Sequence, residues 1–217
     1  MRSSVAQLVK SLGAVWARRR PEIWRGLRPG ASAARIDALA AHFDLTLPSA
    51  FRKLYAWHDG LRDEHTVLEG EFGWLSLSRM KETKKALDRM ERQGFFSDYL
   101  PGSWWNISWL PFLQFNLEDH YCVDLGGALG RGRGVVFLRR NSDPRRLIVA
   151  SSFHAWLHAH VELTSAGPDD ADEDAWIEYF ASRRASRIRR ALDPGFPIAV
   201  TAKRGCGRAW PAGMAED

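Results

Sequence analysis

Apolar residues recur at three- and four-residue intervals from Val5 through Leu8, Val9, Leu12 and Val15 to Trp16, which predicts a first amphipathic helix. It ends near Arg20, because Pro21 pushes the residue before it out of the helical region. PEIWRGLRPGAS then reads as a loop, and Ser32 is placed to cap a second helix with Ile36, Leu39, Ala40 and Phe43 on one side. Leu47-Pro48 opens a third, where proline in the first turn sacrifices no hydrogen bond. Phe51, Leu54 and Tyr55 face inward, and Asp59-Gly60 is expected to stop this helix through a glycine cap. Joined by LTLP, the two helices form a hairpin.

The period changes after Gly60. Phe72 to Leu77 reads as a short strand, and Arg79 to Arg92 as a charged helix with Met80, Leu87 and Met90 inward. An aromatic loop, Pro101 to Ile107, follows. Trp109 to Phe115, His120 to Asp124, Gly134 to Arg139 and Arg146 to Val149 read as four strands with short separations, which predicts an antiparallel meander, since parallel neighbours need long crossovers. Ser151 or Ser152 caps a helix carrying Phe153, Trp156, Leu157 and Val161. A Pro-Asp-rich linker, Gly167 to Asp174, leads to one last helix around Trp176, Ile177, Phe180, Ile188 and Leu192, and the tail from Asp193 reads as irregular. The expected fold is therefore α+β: N-terminal helices packed on a mostly antiparallel sheet, with a C-terminal helical extension. Residues 1–166 form the domain and 167–217 the appended helix and tail.

Composition sharpens this picture in three places. A hydrophobic content of 45% supports one well-buried core, and ten tryptophans place indole N–H groups at core margins or on a contact surface. The net charge is +5, with arginines clustered at Arg18–Arg20, Arg131 to Arg146 and Arg183 to Arg204, while Asp59 to Glu71 is mostly acidic. One face thus suits acidic partners and another basic ones. Cys122 and Cys206 match no metal or redox spacing, which fits a reducing cytoplasm. No run is long enough to span a membrane, and Lys10 interrupts any apolar core of a secretory signal.

Candidate chemistry is sparse. His154 and His158 stand four apart on one helix, with His160 nearby, but HAWLHAH lacks the glutamate of a zinc protease helix, so exposed histidines on a helix packed by Trp156 and Leu157 are expected. Asp170, Asp172 and Asp174 open like a calcium loop, yet Ala175 replaces the glycine and Ala181 the final glutamate. The glycines and arginines of Gly126 to Gly134 precede a strand, which a phosphate-binding loop does not. His120 and Cys122 share a strand face without an oxyanion site, and Asp124 is expected to hold turn N–H groups. No catalytic residues, metal ligands or cofactors are assigned. Asp59, Asp63, Glu64, Glu69, Glu71, Trp104, Trp105, Glu118 and Asp119 are the candidates for a partner-binding surface, the tryptophans as contact anchors and the carboxylates facing a basic cleft.

The ordered series AVWARRRPEIWRGLRPGASAARIDALAAHFDLTLPSAFRKLYAWHDG, WLSL, WLPFLQFNLEDHYCVDLGG, GVVFL and ASSFHAWL resembles the SUKH superfamily, whose members include bacterial toxin-immunity proteins and fungal cell-wall assembly regulators. The likeness covers residues 5 to 163. Asn116-Leu117-Glu118-Asp119 stands where many bacterial members have a glycine-rich turn, and the segment after Gly167 is extra. The resemblance implies a cytoplasmic protein-binding module without catalysis, blocking a toxin of nuclease or deaminase type. The alternatives are a scaffold or regulator of envelope or signalling complexes, and a nucleic-acid-binding protein acting through the basic C-terminal helix.

Overall fold

A computed structural model describes residues 3–63, 65–169 and 171–203. Its helices are α1 (Val5–Arg19), α2 (Pro21–Gly26), α3 (Ala33–His42), α4 (Ser49–Trp57), α5 (Leu77–Arg92), α6 (Phe153–Ala166), α7 (Glu173–Ala181) and α8 (Arg183–Leu192). The strands are β1 (Val67–Glu69), β2 (Phe72–Trp74), β3 (Trp109–Phe115), β4 (Asp119–Asp124), β5 (Val135–Arg139), β6 (Arg145–Ala150) and β7 (Ile198–Thr201). They form one sheet in sequence order, every neighbouring pair antiparallel. The architecture is the α+β meander expected, with helices before the first strand and three more between the sixth and seventh.

Helix starts are set by short polar side chains. Ser4, Ser32, Ser76, Ser152, Asp172 and Ser182 each accept a hydrogen bond from a first-turn N–H, and Gln7 Oε1 accepts in turn from Ser4 N to complete a capping box. The hairpin of α3 and α4 closes through two glycines. Gly30 lies so near Ala56 that an added Cβ would sit 2.0 Å from its carbonyl oxygen. Gly60, at φ +73°, takes a left-handed turn against Leu75.

The sheet is covered on both faces. On the first, α1, α3, α4 and α6 bury Leu12, Trp16, Phe51, Tyr55, Phe153 and Leu157 against Phe112, Val123 and Val136. On the second, Leu87 of α5 and Trp105 of the aromatic loop pack with Trp109, Cys122, Phe137 and Ile148. A smaller cluster of Leu163, Trp176, Phe180 and Ala185 joins α7 and α8 to α6. Being covered twice, β3 is apolar on both faces, and Pro111 is tolerated in it at a register shift between Pro111 and Leu113.

Six expectations need correction. The segment after Pro21 is a short helix, not a loop, with the proline at its first position. Helix α4 stops at Trp57, so Gly60 shapes the following turn rather than the cap. Strand β1 was absent from the expected elements, and β2 ends at Trp74, because Ser76 caps α5 and takes Leu77 into it. The single last helix is two, divided at Ser182, whose extended backbone and hydroxyl start α8. The irregular tail contains β7, which pairs with β6 from Ile198↔Ile148 to Arg145↔Thr201.

Candidate functional site

Of the nine residues proposed for partner contact, four are buried and bind the fold together. Asp59 accepts from Leu77 N at 2.7 Å and meets Arg35 at 2.7 Å, fastening α5 to α3. Glu69 lies at the centre of a buried polar knot: His160 Nδ1 at 2.9 Å, Trp156 Nε1 at 3.2 Å and Arg189 at 3.2 Å. Burial pushes its carboxyl up, but the His160 hydrogen bond and the Arg189 charge outweigh that and hold it below the ordinary glutamate value. Trp104 stacks on Tyr99 and carries the Arg146 guanidinium 4.6 Å above its ring. Trp105 is fully buried and donates to Asp88 at 2.8 Å.

Four others reach solvent. Asp63 and Glu71 are exposed, as is Glu118, and Asp119 is half-buried with one oxygen accepting from Asn141 N. Phe72 packs 5.9 Å from Phe115, so Glu71 and the β3–β4 turn carrying Glu118 and Asp119 share one end of the sheet. Asp63 precedes β1 and belongs to a different loop. Glu64 lies outside the described residues.

A group of buried cations on the second sheet face was not anticipated. Lys84, fully buried, meets both Asp88 oxygens at 3.0 Å and donates to Ile107 O at 2.5 Å. Arg139 donates to Glu118 O and to Asn141, and Arg146 to Asp143 O and Trp104 O. Aromatic rings cover all three: Phe43 for Lys84, Trp105 for Arg139 and Trp104 for Arg146. The register places the two arginines together, since His120 opposes Arg139 and Arg139 opposes Arg146, while Lys84 comes from α5. A strand-period pattern with arginine at the inward position was the available signal.

Among these cations sit His120 and Cys122. Burial, then the Arg139 charge, pushes the His120 ring down to about 3. Burial pushes the Cys122 thiol up to about 12 despite the nearby arginines. Near neutrality the imidazole is uncharged and the thiol protonated. Asp124 is spent on Gly126 N, Gly127 N and Leu129 N, so the glycine loop is pinned at its base as expected.

The histidines of α6 separate. His154 contacts Ser3 O, His158 lies 3.8 Å from Glu162, and His160 is buried at the Glu69 knot, contrary to the expected exposed set. The chain buries His160 because it lies four residues beyond Trp156 on the core side of the helix. Among the described residues, no three His, Cys, Asp or Glu side chains converge as a metal site. Asp172 caps α7, and Asp170 falls outside the described residues. No helix among the described residues is long and apolar enough to cross a membrane.

No curated protein matches the chain. A family model does: that of the SMI1 / KNR4 family (SUKH-1), over residues 30–159, from the loop before α3 into α6.

Proposed function

The chain belongs to the SMI1/KNR4 family (SUKH-1), and from that premise we propose that it is a protein-binding immunity module, neutralising a cognate toxin by occlusion. The observation that carries the reading is the family match over residues 30–159, which takes in strands β1 to β6 and helices α3 to α5 and enters α6. The state of the reactive side chains supports it: a thiol near 12 and an imidazole near 3 supply neither nucleophile nor base at neutral pH. From the family match we propose no catalysis, no cofactor and a cytoplasmic location. Asp63, Glu71, Glu118 and Asp119 offer carboxylates to the basic cleft of a nuclease or deaminase, which speeds association. Co-expression with the toxin domain encoded beside this chain's gene is the test. Restored growth and a co-purifying complex are expected; continued killing with no complex refutes the reading.

One observation favours a second reading. Arg183, Arg184, Arg187 and Arg190 are exposed on α8, and none forms an ion pair among the described residues. Such a stripe fits phosphate backbone, and binding of a labelled duplex would weaken steeply with salt, by a log–log slope of about −3 to −4 for four contacts. A flat salt profile, or no binding at low salt, removes it.

A further inference from the structure

The first sheet face is covered unevenly. An apolar row runs straight across four strands, Tyr121↔Leu138↔Leu147↔Ala199. Its burial fades along the way: Tyr121 and Leu138 are 9% exposed, Leu147 is 36% exposed, and Ala199 is open. Helices α7 and α8, which lie beyond the family match, wall this stretch of the row, α7 with Ile177 and Phe180 and α8 with Ser186 and Arg189. The result is a groove of about 470 Å³, continued over β6 and β7 by a second hollow of about 240 Å³ that shares Leu138, Arg140 and Leu147.

Its polar groups are few and placed. The Tyr121 hydroxyl lies in the floor and makes no hydrogen bond among the described residues. Arg189 is engaged by Glu69, and Arg145 by Asp143. Two rim charges stay unpaired among the described residues: Glu71 beside β2 and Arg140 at the end of β5. Three strand steps separate them, about 14 Å at ordinary sheet spacing.

We propose that this groove docks a short segment of a partner protein: apolar side chains on the Leu138–Leu147 floor, a carboxylate at Arg140 and a basic group at Glu71. The inference deepens the protein-binding reading above and rests on it. It gives the C-terminal extension a purpose, since a wall added to a shared sheet face makes a binding surface particular to this chain.

The test selects a displayed random dodecapeptide library on the full chain and measures the winners by fluorescence anisotropy. Expected winners carry an apolar centre with an acid at one end and a base at the other. Leu147→Asp should weaken them at least tenfold. Arg140→Glu, at an exposed position that leaves folding intact, should weaken them several-fold and favour peptides with a base in place of the acid. Ile107→Asp, on an exposed loop residue away from the groove, should change nothing. Winners that bind both groove variants as well as wild type, or a library with no winners, overturn the proposal. So does self-association abolished by Arg140→Glu, which would make a second copy the occupant. Failure of the neighbouring toxin to be neutralised would refute the immunity reading alone, because the peptide result does not depend on it.

Discussion

Asp88→Asn would leave Lys84 a buried cation with neutral oxygens and aromatic rings around it but no counter-charge. Burial already lowers the lysine's pKa while the Asp88 charge opposes it. Removing one partner of a buried pair costs on the order of 3–5 kcal/mol, whereas replacing both by apolar groups is often near neutral. Asp88→Asn should therefore lower the urea midpoint sharply, and Lys84→Met with Asp88→Leu should recover most of it; equal loss in both would place the cost in the Trp105–Asp88 bond instead. His120 makes a separate prediction. Its folded pKa, about 3, lies below the ordinary 6.5, so the unfolded chain binds a proton the folded chain refuses. Stability then falls as pH drops through 6.5 toward 3, by about 1.4 kcal/mol per unit, or about 2 kcal/mol between pH 6.5 and 5. Denaturation midpoints measured across that range should flatten in His120→Phe. Glu69 has the usual carboxylate sign: its depressed pKa contributes stability above the ordinary value of 4.5, lost as pH falls through the lower folded value.

At the scale of elements, the extension is held by a few identifiable fasteners. Arg20 lies 4.7 Å from the Trp176 ring and donates to Val67 O, tying α1, α7 and β1. Tyr179 donates to Leu163 O, and Arg189 spans Phe180 O and Glu69. Arg189→Ala should free α8 first: amide exchange across 183–192 should accelerate about tenfold or more while β3–β5 stay protected, and uniform acceleration would show instead that the helix belongs to the global unfolding unit. These fasteners explain what was legible in sequence and what was not. Strands β3 to β6 and helices α1, α3, α5 and α6 announced themselves by period and by serine caps. The division of α7 from α8 was also written, since the inward spacing jumps by five from Phe180 to Ala185, but a single arginine-rich run masked it. Strands β1 and β7 are three and four residues long, too short for alternation to register. The candidate site was least legible. Glu69, Asp59, Trp104 and Trp105 resemble contact residues by type, and only tertiary placement reveals that they hold helices to the sheet.

Across the whole molecule, the two sheet faces divide the labour. The first begins as a sealed apolar layer and opens into the groove toward β7. The second buries its charges against rings, carbonyls and the Asp88 carboxylate, and leaves a hollow of about 340 Å³ where Trp109, Arg146 and Val200 meet the aromatic loop. Strand β7 links them, for its Val200 packs on the second face while Ala199 extends the apolar row on the first. Val200→Pro would remove an N–H from the pairing with β6 and leave a six-residue edge beside exposed Leu147. Sedimentation velocity should show concentration-dependent oligomers for this variant at concentrations where the wild type stays at its native size; an unchanged profile would mean that an uncovered β6 does not drive association.

The same connectivity has a temporal side. Six strands can zip together in order as the polypeptide leaves the ribosome, but the seventh arrives only after three more helices have been made. Until then a finished-looking sheet carries a raw border able to pair with any neighbouring nascent chain. Synthesis speed through the codons for the last helices therefore sets how long each new molecule is open to sticking, and slow codons there would lower yield without altering a single residue.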